Sequence, residues 1–217
     1  MKKFMSLVAA LLLCVGAQAQ IVSSSSRSIK VENAPSTSQK YVRLGVGFMN
    51  LAGDNEGLSS KTGYDVAFGF QKPLANVNGL YWGMELALGS RGFTIDAEDD
   101  DYDIKHILHN VRFSPFTFGY KYALTDDVKL DAHLGAFASF DYAGKAKCDD
   151  EDIKLGDWDD NYLDWNRFDA GMQIGFGAWY KNYNLDFTYH RGFVKAIDYD
   201  GLDTYTSTFM IRLGIAF

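Results

Sequence analysis

Hydrophobic and polar residues alternate with a period of two along most of the chain after Lys40. In the stretch FMIRLGIAF, the apolar series is Phe209, Ile211, Leu213, Ile215 and Phe217. Strict alternation of this kind indicates a β-strand, because successive side chains of a strand point to opposite faces. The same pattern predicts eight strands, at residues 41–51, 62–72, 80–93, 107–122, 128–142, 166–180, 184–194 and 205–217.

The connections between these predicted strands alternate in length. Those after the second, fourth and sixth strands are short, with the sequences PLANVNG, ALTDD and KNY. Those after the odd-numbered strands are longer and rich in acidic residues. In an up-and-down antiparallel barrel, odd and even connections lie at opposite ends, and one short-turned end with one long-looped end is typical of outer-membrane barrels. The fold class predicted is therefore all-β, an eight-stranded antiparallel up-and-down transmembrane β-barrel.

The two faces of the predicted strands differ in composition, since one is uniformly apolar and the other mixes charged residues with glycine. A soluble barrel would bury the apolar face. Glycine on the charged face indicates instead that the charged face lies inside. A narrow eight-stranded interior needs small residues beside long ones, whereas a solvent-facing position does not. Acids and bases are similarly numerous there, as paired buried charges require. The predicted interior network comprises Arg43, Asp65, Glu85, Asp131, His133, Asp169, Asp186 and Arg212.

Two local features accompany this assignment. Aromatic residues cluster beside the short turns, as a membrane-interface girdle would: Tyr120, Tyr122, Trp179, Tyr180 and Tyr183. The fourth predicted strand changes phase around Pro115, which predicts a β-bulge, since a bulge can accommodate a proline within a sheet.

The first 39 residues precede the strand pattern. MKK supplies a positive start, FMSLVAALLLCVG an apolar stretch too short to span a membrane, and AQA a small-residue cleavage signature. Residues 1–19 are therefore predicted to be a secretory signal peptide, rather than a buried helix or an anchor. Residues 20–39 are Ser-rich and predict a flexible periplasmic tether before a barrel domain at 40–217. Cys14 would leave with the leader, so Cys148 has no intramolecular disulfide partner.

The charge of the chain excludes one class of partner. The formal net charge is −7, and loss of the leader would remove Lys2 and Lys3 but no acid. Such a chain has no electrostatic basis for binding nucleic acid.

The histidines do not predict a metal or catalytic site. His106 and His109 make a poor pair of metal ligands, since they are expected on opposite faces of a strand. His133 and His190 are expected to be hydrogen-bonded interior residues rather than general bases, and no enzymatic activity is predicted.

The acidic connections offer the one candidate metal site. Its possible ligands are Asp99, Asp101, Asp103, Asp150, Asp152, Asp157 and Asp159. Carboxylate oxygens are the ligands that Ca²⁺ prefers. The spacing lacks the EF-hand pattern and its turn glycine, so a hydrated surface loop is the alternative interpretation. No other cofactor is expected.

The ending IRLGIAF resembles the terminal-strand signal, finishing in phenylalanine, by which outer-membrane barrels are recognised for assembly. With the leader, eight strands and loop asymmetry, the chain resembles the small outer-membrane β-barrel family that includes PorT-like and OmpA/OmpX-like domains. The resemblance implies a Gram-negative outer membrane with periplasmic N- and C-termini. The partners expected are outer-membrane lipid, the barrel assembly machinery, for which Phe217 would be the signal, and a surface or envelope partner that the sequence does not identify.

Two functional classes stay open on this resemblance. The first is a non-enzymatic barrel with a filled interior that presents long acidic loops at the cell surface, for envelope integrity, adhesion or assembly. The second is a transport protein for ions or small apolar molecules. A narrow, filled interior favours the first class over an open aqueous pore.

Overall fold

The computed structural model describes residues 38–52, 58–74, 78–96, 103–148, 151–155, 165–199 and 202–217. The strands are β1 (Gln39–Ala52), β2 (Leu58–Pro73), β3 (Leu80–Asp96), β4 (Asp103–Ala123), β5 (Val128–Cys148), β6 (Glu151–Lys154), β7 (Phe168–Tyr180), β8 (Tyr183–Tyr199) and β9 (Leu202–Ala216). Among the residues described, no helix is long and apolar enough to cross a membrane.

Eight of these strands form a closed antiparallel barrel. The sheet runs β4-β3-β2-β1-β9-β8-β7-β5, and β5 pairs with β4 to complete the circle. First and last strands join from Tyr41↔Ala216 to Ala52↔Tyr205, and the backbones of Lys40 and Phe217 exchange two hydrogen bonds. Closure pairs the backbone of every barrel strand on both sides, which hydrocarbon requires. The predicted eight-stranded barrel is confirmed.

The strands extend further than predicted at the end with the long connections. β4 begins at Asp103 rather than residue 107, and β5 continues to Cys148 rather than residue 142. The ninth strand, β6, was missed because it lies inside what the sequence analysis treated as one long loop. Within the described residues, it pairs with the last four residues of β5. Acidic residues obscure the apolar–polar alternation at this end of the strands. Backbone pairing does not depend on that alternation, as the pairing of Asp96 on β3 with Asp103 on β4 shows.

The outward face carries the apolar belt. Large hydrophobic side chains such as Leu44, Phe68 and Leu86 are exposed, whereas the residues between them are buried. The predicted bulge is present, since the register of β4 shifts between Phe113 and Phe116. One girdle assignment was wrong: Trp179 is buried inside the barrel, because its indole N–H has a carboxylate partner there.

Candidate functional site in the barrel interior

Inward positions of seven strands hold the eight residues that the sequence analysis selected. All are exposed by 5% or less: Arg43, Asp65, Glu85, Asp131, His133, Asp169, Asp186 and Arg212. The structure distributes them over three levels of the lumen rather than one. We call these the central cluster, the turn-end cluster and the loop-end cluster, where the turn end has the short connections.

Arg212 of β9 organises the central cluster. Its Nη1 lies 2.6 Å from Oε1 of Glu85, on β3, and its Nη2 lies 2.8 Å from Oδ2 of Asp186, on β8. A third carboxylate, Asp65 of β2, lies 3.5 Å from Nη1. One guanidinium thus connects four strands across the lumen. A planar group with five donors suits this role, because it satisfies several carboxylates in fixed directions.

Two further arginines complete the central cluster. Arg43 Nη1 lies 3.0 Å from Oε2 of Glu85, and its Nη2 lies 3.5 Å from Oδ1 of Asp186. Arg112 Nη2 lies 2.7 Å from Oδ1 of Asp65. The cluster therefore contains three arginines and three carboxylates. The sequence analysis omitted Arg112, although its place between Val111 and Phe113 in the alternation was a usable signal.

The turn-end cluster is centred on Asp131 of β5. Its carboxylate accepts hydrogen bonds from the Tyr81 hydroxyl at 2.8 Å and from the Trp179 indole at 3.0 Å. His133 Nδ1 lies 3.2 Å from the same carboxylate, and its Nε2 lies 3.4 Å from the Thr188 hydroxyl. The imidazole is enclosed by partners on both sides, so it has the geometry of a structural histidine.

The loop-end cluster is centred on Arg91 of β3. This guanidinium contacts both oxygens of Asp141, at 3.0 and 2.8 Å, and reaches Asp169 of β7 at 3.5 Å. The Trp165 indole donates to Asp141 at 2.9 Å, and the Thr206 hydroxyl donates to Asp169. The sequence analysis selected Asp169 for the network but not Asp141, whose position follows from the outward Phe140.

Beyond the loop-end cluster, the lumen is filled by apolar side chains, which the sequence analysis did not predict. We call this group the apolar plug: Met49, Leu51, Phe93, Leu108, Ala146, Leu155, Trp165, Ala196 and Ile197. Phe93 stacks on His106 at 4.3 Å and on Trp165 at 5.3 Å between ring centroids. Trp165 precedes β7 and forms a bridge with Ile197, so its indole joins the plug from outside the barrel strands.

The cavities found inside the barrel are small. One of about 20 Å³ lies between the central and loop-end clusters, and one of about 10 Å³ lies between the central and turn-end clusters. A volume of about 10–15 Å³ holds one water molecule. Each of these two cavities has room for one or two water molecules and none for a substrate or a hydrated ion.

The metal candidates are not brought together by the described structure. Asp99, Asp101, Asp150, Asp157 and Asp159 lie outside the described residues. Asp103 begins β4 and Asp152 lies in β6. Within the described part of the chain, no group of three His, Cys, Asp or Glu side chains could hold a metal ion. A calcium site in the acidic connections therefore stays a prediction.

The outer surface carries a Ser–His juxtaposition that resembles part of a hydrolase site. Ser90 and His109 are cross-strand partners in the β3–β4 register. The Ser90 hydroxyl, however, accepts a hydrogen bond from the Tyr64 backbone at 3.0 Å, and His109 Nδ1 lies 3.4 Å from the Tyr64 hydroxyl. In a catalytic triad, the histidine is hydrogen-bonded to a carboxylate. Among the described contacts, His109 is paired with the Tyr64 hydroxyl instead, so these residues do not form a triad.

Comparison with known proteins gives a family match and distant structural likenesses. The model of the outer membrane protein beta-barrel domain family matches residues 18–198. Ail, the attachment invasion locus protein of Yersinia pestis, is 16% identical, with a TM-score of 0.38 over 82% of this chain and 98% of that one. Neisserial surface protein A is 11% identical, with a TM-score of 0.45 over 82% and 97%.

The outer membrane enzyme PagL is 13% identical, with a TM-score of 0.46 over 81% of this chain and 98% of that one. None of the curated proteins matches the chain. At these identities and TM-scores, the three likenesses carry nothing about function.

Proposed function

We propose that this chain, which belongs to the outer membrane protein beta-barrel domain family, is a non-enzymatic barrel with a closed interior. In this proposal it presents its acidic connections at the cell surface, and both termini face the periplasm. Its role is in envelope integrity, adhesion or the assembly of other surface components. The outer membrane of a Gram-negative bacterium is the location that the family indicates.

The observation that carries this proposal is the set of ion pairs across the lumen. Arg212 alone connects β9 to β2, β3 and β8 through three carboxylates. Side chains held in this way obstruct a water path, since each would have to leave a charged partner before an ion could pass. The apolar plug adds a second obstruction at the loop end, because buried apolar side chains from opposite sides of the barrel fill the lumen there.

Conductance in planar bilayers tests the closed interior. The wild-type protein should give no stable openings, whereas E85A/R212A/F93A should give channels, because it removes a salt bridge at the centre of the lumen and a large ring from the apolar plug. K181A is a matched control, since Lys181 forms an exposed ion pair with Asp127 near a short turn. Reproducible large openings of the wild-type protein would reject closure and favour transport of ions or small molecules.

Labelling of Cys148 tests the orientation. This cysteine ends β5 at the loop end, so a membrane-impermeant maleimide should label it on intact cells. Labelling that requires a broken outer membrane would show that the orientation is inverted.

Deletion of Phe217 tests its proposed role as the assembly signal. Only its backbone exchanges hydrogen bonds with Lys40, whereas its side chain is 68% exposed. A truncated protein should still be secreted but should accumulate unassembled, as seen from its mobility on unboiled gels. Replacement of Phe217 by tyrosine is the matched control and should assemble normally. Equal assembly of the truncated and intact proteins would contradict this role.

A deletion strain tests the biological role. Sensitivity to detergents and large antibiotics would support a role in envelope integrity, and loss of surface attachment would support adhesion. A strain with a normal envelope and normal attachment would leave assembly of other surface components, which an inventory of the outer-membrane proteins measures directly.

A further inference from the structure

The turn between β2 and β3 contains an asparagine followed directly by a glycine. Asn78 is exposed, and Gly79 comes immediately before the first residue of β3. Every other asparagine of the chain precedes a larger residue. Glycine has no side chain to shield its backbone nitrogen. That nitrogen can therefore approach the side-chain amide of Asn78 more closely than the nitrogen of a bulkier residue could.

The packing of this turn requires glycine at position 79. Its φ of 88° lies in the left-handed region that other residues rarely adopt. A Cβ atom there would also come within 2.5 Å of the Lys121 carbonyl oxygen and 2.9 Å of the Tyr120 ring. The fold therefore retains the Asn–Gly pair, because the turn could not pack in the same way against β4 with a larger residue.

The peptide group between Asn78 and Gly79 makes no hydrogen bond to another described backbone group. The bonds nearest to it run from the Leu74 nitrogen to the Leu80 carbonyl at 2.9 Å and from the Lys121 nitrogen to the Gly79 carbonyl at 2.8 Å. Both fix the chain after this peptide group. The Gly79 nitrogen and the Asn78 side chain can therefore turn toward each other without breaking either bond.

A second exposed asparagine at the turn end gives a comparison. Asn182 lies in the turn between β7 and β8 and precedes Tyr183. Its carbonyl accepts a hydrogen bond from the Ala216 nitrogen at 2.8 Å, and the Lys181 nitrogen donates to the Asp127 carbonyl at 2.8 Å. These bonds hold the peptide group that would have to rotate before the Tyr183 nitrogen could reach the Asn182 side chain. The two turns thus differ in the following residue and in backbone constraint.

We propose that Asn78 is a site of spontaneous deamidation in the folded barrel. The Gly79 backbone nitrogen attacks the side-chain carbonyl carbon of Asn78, and a new C–N bond forms as the Cγ–Nδ2 bond breaks. The proton of the Gly79 nitrogen leaves with the side-chain NH2 group as ammonia, and a cyclic imide results. Water then breaks one C–N bond of the imide. Cleavage at Cγ gives aspartate, and cleavage at the main-chain carbonyl carbon gives isoaspartate.

Either product places a new negative charge on the exposed turn, and isoaspartate also lengthens the backbone by a methylene group. The barrel should remain closed, because the hydrogen bonds of Gly79 and Leu80 lie beyond the altered peptide group. The β2–β3 register from Pro73↔Tyr81 onwards is not involved. The modified fraction should therefore rise with the time since assembly in chains that are still folded. The reaction needs only water, so it does not depend on the orientation or role given under the proposed function.

Incubation of the folded protein in neutral detergent, followed by peptide mapping with mass spectrometry, tests this proposal. We expect the peptide that contains Asn78 to gain the mass difference between an amide and a carboxylic acid. Most of Asn78 should convert before conversion of Asn182 is detected. Conversion should be faster at mildly alkaline than at mildly acidic pH, because the attacking nitrogen must lose its proton. Mobility on unboiled gels establishes that the converted protein is still folded.

Two variants separate the contributions of sequence and structure. Asn78→Gln keeps an amide on the turn but should not convert, because its longer side chain is poorly placed to form the cyclic imide. Tyr183→Gly removes an exposed ring and supplies an Asn–Gly pair in the second turn. Asn182 should still convert more slowly than Asn78 in this variant, because its carbonyl stays bonded to Ala216.

Two results would overturn the proposal. The first is an Asn78 that stays intact in the folded barrel and converts only after heat unfolding, which would show that the fold protects this turn. The second is conversion of Asn182 in Tyr183→Gly at the same rate as Asn78, which would show that the backbone hydrogen bonds of the two turns do not decide where the chain is modified.

Discussion

The section of the barrel within the apolar belt and the section beyond it are built on opposite principles. Along β1, the inward residues are Tyr41, Arg43, Gly45, Gly47, Met49 and Leu51, and the outward residues are Val42, Leu44, Val46, Phe48, Asn50 and Ala52. Up to Phe48 the outside is apolar and the inside polar. From Met49 onwards the inward side chains are large and apolar, whereas the outward residues, Asn50 and Ala52, are polar or small.

The same reversal occurs on β3, which is separated from β1 by β2. On β3, inward Arg91 is followed by inward Phe93, and outward Leu88 is followed by outward Ser90. The period of two continues without interruption, while the chemical identity of the two faces exchanges. The surroundings explain this reversal, because lipid favours apolar side chains outside, whereas water favours an apolar core, as in a soluble barrel.

The largest effect should follow from placing a charge in the apolar plug. Leu51→Asp would bury an unpaired carboxylate among Met49 and Phe93, and the desolvation of that charge should prevent closure of the loop end or lower the free energy of unfolding by more than about 4 kcal/mol. Urea denaturation in vesicles measures it. Asn50→Asp, outward on the same strand, should be nearly neutral, and equal losses for both would contradict the reversal at Met49.

The next effect should come from the central cluster. Arg212→Ala leaves Glu85 and Asp186 without a principal partner. Removing one member of a buried ionic group costs about 3–5 kcal/mol, because the remaining charges stay buried. The same denaturation assay measures this loss. The double replacement of Arg212 and Asp186 by methionine and leucine should recover part of it, and no recovery would contradict the charge-based explanation.

A smaller effect should result from Trp165→Phe. Trp165 connects the two sections, because it contacts both the loop-end cluster and the apolar plug. The change keeps an aromatic ring against Phe93 but removes the hydrogen bond to Asp141. A lost hydrogen bond to a charged group is worth about 1.5–3 kcal/mol. Trp82→Phe, on the outward face against Phe70, is the control and should cost about 1 kcal/mol or less. A loss no larger than that of the control would show that the indole N–H adds nothing.

The smallest effect should be that of Lys181→Ala in the turn between β7 and β8. Its ammonium lies 3.9 Å from Asp127, and both side chains are more than half exposed. Exposed ion pairs contribute less than about 1 kcal/mol, since water screens them. Comparison with Arg212→Ala in the same assay separates buried from exposed pairs, and similar losses in both would contradict the importance of burial.

Much of the barrel could be predicted because its belt section obeys one simple rule. Outward residues such as Leu44 and Phe68 must be apolar where lipid surrounds them, and period-two alternation follows directly. The acidic hairpins could not be found in this way. Around Asp96 and Asp103, the strands are held by backbone pairing, and their side chains carry no alternating signal.

The candidate site was also predictable only in part. The sequence itself determined the strand period, the short turns and which residues share the polar face, because these depend on local geometry and on the chemistry of neighbouring side chains. Tertiary structure alone decided that Arg212 contacts Glu85 across the lumen, 127 residues away, and that Trp165 and Leu155 join Met49 in the apolar plug. Such contacts depend on how the closed barrel staggers its strands, which no single strand encodes.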